Sequence, residues 1–197
     1  MNFPAHSMPY ERIQLASASP RRSQLLRQIG VAHDIQPVNL DESRRSGESP
    51  RDYVLRLALE KASAGAAMGG GLPVLAADTT VAIGEEIFGK PRDENDGVRM
   101  LAALSGRSHD VLTAVALASA GRLETTISET CVTFRTLTAA ECRDYWASGE
   151  PVDKAGAYAI QGFGAVFIAR LEGSYSGVMG LPLFETAALL DAAGVRR

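Results

Sequence analysis

Cysteine is nearly missing from this chain: Cys131 and Cys142 are the only two in 197 residues. They stand neither at metal-ligand spacing nor at the density of a disulfide scaffold, which leaves reduced, cytosolic thiols as the expectation. Aromatic residues make up 6%, with a single Trp, and basic residues have no surplus, Lys+Arg 20 against Asp+Glu 23 for a net charge of -3. Without a global basic field, no nucleic-acid partner is expected. No apolar run approaches the length of a membrane span, and residues 1–10 hold neither a basic n-region nor an apolar h-region. The expectation is a cytoplasmic protein with no membrane partner. The three histidines, His6, His33 and His109, are scattered without ligand spacing and read as surface or loop side chains.

What is present has globular proportions, 46% hydrophobic and 22% charged. That fits one domain over residues 11–197 behind an N-terminal extension of residues 1–10. A strand-like run from Ile13 breaks at Ser17-Ala18-Ser19-Pro20, and a helix follows as far as Gly30. Ser19 is suited to the N-cap, where its hydroxyl can accept from a free N–H, and Pro20 to the first helical position. Such a helix start attracts anions, and Arg21 and Arg22 in its first turn are unfavourable unless an anion sits there.

A short strand over 32–38 and a polar loop over 39–49 lead to a second helix. It opens at Ser49-Pro50 and ends near Met68. Its broad apolar arc comprises Val54, Leu55, Leu57, Ala58, Leu59, Ala62, Gly65 and Ala66, and Lys61 falls inside that arc. Such a lysine either snorkels out or projects an ammonium into an enclosed site where an anion compensates it. The run Leu72–Ala77 reads as a central strand ending at Asp78. A type II′ hairpin about Gly84-Glu85 would then return Lys90 opposite Asp78, as a structural ion pair or as part of a site.

Further on, a helix over 93–104 precedes two long strands over 110–118 and 123–134. A capping box at Thr138 and Glu141 opens a helix through Tyr145 and Trp146, both expected in the core. A glycine-rich segment over 153–164, a strand over 165–171, a loop over 172–180 and a last helix from Pro182 complete the chain. Early alternation of strands and helices with antiparallel pairing in the middle predicts a mixed sheet.

Arg21, Arg22, Lys61 and Lys90 are cations suited to phosphate oxygens, while Glu42 and Asp78 are carboxylates suited to a divalent metal or to activating water. From Leu15 to about Leu190 the chain resembles the Maf family of nucleoside triphosphate pyrophosphatases. The ordered matches are Ser17-x-Ser19-Pro20-Arg21-Arg22, Asp41-Glu42, Glu60-Lys61-Ala62, Ala77-Asp78-Thr79, Gly89-Lys90-Pro91, Leu104-Ser105-Gly106, Asp153-Lys154-Ala155-Gly156, Ile160-Gln161-Gly162 and Gly180-Leu181-Pro182.

The resemblance implies an inosine-triphosphatase-like α/β fold, with an elongated mixed sheet flanked by helices and two lobes around a nucleotide cleft. It implies cleavage of a nucleoside triphosphate to the monophosphate and pyrophosphate with a divalent cation, Mg2+, Mn2+ or Co2+. By that likeness Asp78 is the catalytic base. Lys61 and Lys90 are catalytic cations, Ser17 and Arg22 bind phosphate, and Glu42 holds the metal. Arg21, Thr79 and Gln161 resemble the specificity set of the branch acting on dTTP and UTP, where the branch acting on 7-methyl-GTP shows Trp, Gln and Glu. The family likeness also implies a homodimer. Two alternatives stand beside this reading: the same chemistry on 7-methyl-GTP or a modified nucleotide, and a nucleotide-binding regulator of septum formation without turnover.

Overall fold

The computed structural model describes residues 10–196. The expected extension over residues 1–10, including His6, lies outside the described residues except for Tyr10. In chain order the elements are β1 (Ile13–Leu15), α1 (Pro20–Gln28), β2 (His33–Ile35), α2 (Pro50–Ala67), β3 (Val74–Ile83), β4 (Glu86–Phe88) and α3 (Glu94–Leu104). There follow β5 (Ser108–Ser119), β6 (Arg122–Phe134), α4 (Ala139–Ala147), β7 (Ile168–Glu172), the single turn α5 (Tyr175–Val178) and α6 (Leu183–Ala192). Among the described residues the strands form one mixed seven-stranded sheet in the order β2-β1-β3-β5-β6-β7, with β4 also on β3. Tyr10 bridges to Val195, tying the start of the described chain to its end.

The parallel part, β1 between β2 and β3, comes first in the chain; β3, β5, β6 and β7 are joined antiparallel. The expected boundaries hold to within a residue for β6, and the capping box at Thr138 and Glu141 and the Ser49 cap both form, the Ser49 side chain accepting from Asp52 N–H. Gly84 takes φ +57 between β3 and β4, as the first position of a type II′ turn requires, and Val81 pairs with Phe88.

Three expectations change. The segment over 165–171 is not one strand. Phe163–Phe167 form a 3-10 turn and β7 begins only at Ile168, because the backbone of 163 and 164 is bound by a carboxylate rather than by a neighbouring strand. The loop over 172–180 contains α5, whose Ser174 side chain accepts from Gly177 N–H. His109 is 2% exposed, not a surface residue. β5 begins earlier than the sequence suggests, so His109 shares the inward face of Val111, and its Nε2 lies 2.9 Å from the Tyr158 hydroxyl.

The core forms three clusters. One packs α2 on β3 and β5 through Val54, Ala58 and Ala62. A second, on the opposite sheet face, packs α1 and α6 through Leu25, Leu26 and Leu190. A third joins α3, α4 and the far strands through Leu101, Phe88, Phe134 and Tyr145. The last two are the two halves expected around a cleft.

Candidate active site

A ten-residue strand and two three-residue neighbours create the cleft. On one edge β3 pairs with β1 at Val74 and Leu75 and with β4 from Val81 to Ile83, while β5 occupies its other edge. The stretch Ala76–Thr80 therefore has no strand partner on the first edge, and a cavity of about 1140 Å³ opens there. All nine residues singled out from the sequence line it: Ser17, Arg21, Arg22, Glu42, Lys61, Asp78, Thr79, Lys90 and Gln161. Asp78 is not at a strand end, as expected, but in mid-strand at the gap. Alternation along β3 sends Asp78 toward α2 and Thr79 toward α1, so chemistry from both sheet faces meets in one opening.

On the α2 side, Lys61 Nζ donates to Asp78 Oδ1 at 2.7 Å and lies 2.6 Å from Glu42 Oε1. Lys61 and Asp78 are both buried. Leaving either charge alone there would cost several kcal/mol, about 3–5, which is why they are paired. Burial pushes the Asp78 carboxyl up from its ordinary range, against the opposing pull of Lys61 and Arg22. Tyr53, one α2 residue that the sequence reading passed over, donates its hydroxyl to the Glu42 backbone carbonyl at 2.9 Å. Burial, with the charges of Asp78 and Glu42, pushes its phenol up to about 12.

On the α1 side, the expected Ser19 cap is not formed by its side chain. Ser17 takes that place: its hydroxyl accepts from Ser19 N–H at 3.2 Å and from Arg22 Nη1 at 3.1 Å. Its own proton is left free to donate into the cavity. Arg22 Nε donates to Gly180 O at 2.8 Å and Nη2 to Thr79 Oγ1 at 3.3 Å. Arg22 thus joins α1, β3 and the turn after α5. Thr113 Oγ1 lies 3.0 Å from Thr79 Oγ1 and 2.8 Å from Gly177 O. The Thr113 hydroxyl donates to the Gly177 carbonyl and toward Thr79, whose oxygen also accepts from Arg22 Nη2.

The opposite wall is cationic. Lys90 is exposed and has no ion pair or hydrogen bond among the described residues, so the expected return to Asp78 does not occur. The ladder stops at the Val81–Phe88 pair, two residues before Lys90, and Asp78 is taken by Lys61. Lys154, of the Asp153-Lys154-Ala155-Gly156 motif, stands here too, with Arg21 and Asp153. Burial, then the charges of Arg21 and Lys90, pushes the Lys154 ammonium down, and Asp153 and Glu150 oppose them. Arg21 Nε reaches Met179 O at 3.4 Å, and burial lowers its pKa. Gln161 and Glu150 close the far end.

No group of three His, Cys, Asp or Glu suited to a metal occurs among the described residues. The donor set fits a different arrangement. Asp78 and Glu42 converge on one ammonium, offering hard oxygens of the kind that hold Mg2+ or Mn2+ jointly with substrate phosphates. Among the described residues no helix is long and apolar enough to cross a membrane.

Known proteins match this chain along most of its length. Residues 12–193 match the model of the family described as Maf-like protein. A dTTP/UTP pyrophosphatase of Saccharophagus degradans is 54% identical over 184 residues, covering 91% of this chain and 88% of its own. Its counterpart in Bordetella avium is 53% identical, over 93% of this chain and 96% of its own. A third, from an Anaeromyxobacter species, is 55% identical, over 93% and 90%. Matches of this identity and extent show that the chain belongs to the Maf family.

Proposed function

We propose that this chain hydrolyses dTTP and UTP to the nucleoside monophosphate and pyrophosphate. The observation that carries this reading is the buried Lys61–Asp78 pair, with Glu42, lining a cavity of nucleotide size together with Lys90, Lys154 and Arg21, cations without a salt bridge among the described residues. Its likeness to relatives named for that activity supports the substrate.

In the proposed reaction, water adds to the α-phosphorus, the bond from that phosphorus to the α–β bridging oxygen breaks, and pyrophosphate leaves. Asp78 accepts the water's proton. Burial makes it a stronger base than a surface aspartate, and Lys61 keeps it ionised and aimed. Ser17 and the first-turn amides of α1 meet phosphate oxygens, and Lys90 and Lys154 offset charge on the departing pyrophosphate. Arg22 acts from behind Ser17, since its guanidinium is tied to Ser17, Thr79 and Gly180. Glu42 would hold a divalent cation together with phosphate oxygens. Once bound, that cation acidifies water and neutralises phosphate charge.

Base choice in this reading falls to Arg21, Thr79 and Gln161. A Gln amide offers both a donor and an acceptor to the edge of a uracil-type base. A cytoplasmic setting goes with the reading, supported by two unpaired cysteines. Purified protein with Mg2+, Mn2+ or Co2+ and each nucleoside and deoxynucleoside triphosphate, assayed for pyrophosphate, tests it. Release from dTTP and UTP ahead of the rest is expected. Preference for 7-methyl-GTP would overturn the substrate, and no release from any nucleotide would overturn the activity.

A further inference from the structure

Glu150 is wrapped by the backbone of the segment that carries Gln161. Its Oε2 accepts from Phe163 N–H at 2.8 Å, and its Oε1 accepts from Gly164 N–H at 3.0 Å and from the Tyr145 hydroxyl at 2.7 Å. The same Tyr145 oxygen accepts from Ala159 N–H at 3.0 Å. One carboxylate and one phenol therefore bind the chain on both sides of Gln161. The two glycines of the segment are what let it close so tightly. A Cβ at Gly162 would lie 2.1 Å from Glu150 Oε2, and one at Gly164 would lie 2.7 Å from both Ala159 O and the Tyr145 hydroxyl. Burial works against ionisation of Glu150, but the two N–H groups and the phenol outweigh it and hold its pKa below the usual range. Gln161 itself is exposed toward the cavity and has no hydrogen bond among the described residues.

We infer that Glu150, through Tyr145, is the positioning residue for base recognition: it locks residues 159–164 so that the Gln161 amide is presented to the nucleobase. The inference rests on the proposed pyrimidine-nucleotide activity. Its physical basis is pre-organisation. A free Gln on an unanchored loop would have to lose its freedom on binding, and affinity falls in proportion to the fraction of protein holding the competent loop. The Lys61–Asp78 pair sits on α2 and β3, outside this segment, so water activation does not depend on the lock, and the Glu150 charge reaches the leaving-group side only through its long-range pull on Lys154.

The test is a cycle of Glu150→Ala, Gln161→Ala and the double variant, with Tyr145→Phe alongside, assayed on dTTP and UTP. With the competent loop reduced to roughly a tenth of the population, Glu150→Ala should raise KM about tenfold and leave kcat within about twofold. Tyr145→Phe, which keeps both backbone bonds to Glu150, should fall between Glu150→Ala and the native protein. In the Gln161→Ala background, Glu150→Ala should add little to KM, because both act on one contact. Additive effects on KM, or a loss confined to kcat, would overturn the inference. Amide exchange gives a readout independent of turnover: the Phe163 and Gly164 amides should exchange faster in Glu150→Ala, and unchanged exchange overturns the lock. If the native protein releases no pyrophosphate while the lock is confirmed by exchange, the proposed activity has failed and the anchoring has not.

Discussion

Two neighbouring arginines at the start of α1 do different work. Arg22 spends its guanidinium on Ser17, Thr79 and Gly180, whereas Arg21 makes one long contact to Met179 O and keeps its remaining donors for the cavity. Asp78 is the residue on which turnover should hinge. Asp78→Asn keeps the shape and a hydrogen-bond acceptor for Lys61 but cannot take a proton. Turnover of dTTP should fall by about 10²-fold or more while a non-hydrolysable analogue still binds. Near-native kcat in that variant would remove Asp78 from the chemistry. Replacing Arg21, Thr79 and Gln161 together by Trp, Gln and Glu should move activity toward 7-methyl-GTP. An unchanged substrate profile would place base choice elsewhere in the cavity. Every one of these side chains could be named from the sequence, but the hydrogen bonds that Thr113 makes to Thr79 and Gly177 could not. They depend on the β3–β5 register and on Gly177, 64 residues beyond Thr113.

Helix α2 shows how a secondary-structure element sets the site. Lys61 lies one turn before Gly65, where a Cβ would meet Val74 Cγ1 at 2.7 Å and Ala16 Cβ at 3.2 Å. Gly65→Ala gains up to about 1 kcal/mol of helix propensity but overpacks against a β-branched, buried strand residue, a penalty of roughly 1–3 kcal/mol. The net expectation is a lower Tm, and a lower kcat/KM because the helix is pushed off β3 with Lys61 on it. A variant that is more stable and fully active would show that the contact yields. The helix was legible in advance through its Ser49-Pro50 start and the periodicity from Val54 to Gly65. The partner of Lys61 was not. Hairpin arithmetic pointed Asp78 to Lys90, but two-residue turn chemistry fixes only the first few pairs of a ladder, and the helix above the sheet had a nearer cation to offer.

The molecule as a whole places its cavity between two cores, and the core around α3 and α4 carries a titratable group. Burial holds the His109 imidazole down to about 4. Since the unfolded chain binds this proton from about 6.5 downward and the folded chain resists it to about 4, stability is complete above 6.5. On acidification it is lost, by roughly 3 kcal/mol. Held near 2 by Arg92 and Arg56 respectively, the Asp96 and Glu48 carboxylates act mainly below that window. Urea unfolding of the native protein and of His109→Phe at pH 7 and pH 5 should show a smaller pH loss in the variant; equal losses would contradict the assignment. Fold class, the mixed character of the sheet and the motif residues could all be read from the chain. The gap in the β3 edge could not, because it arises from the mismatch between one long strand and two short ones.

Where water attacks is decided by isotope. Hydrolysis of dTTP in 18O-labelled water, followed by mass spectrometry of both products, should put the label in dTMP and none in pyrophosphate. Label in the pyrophosphate, or release of single phosphate groups, would contradict attack at the α-phosphorus beside Asp78.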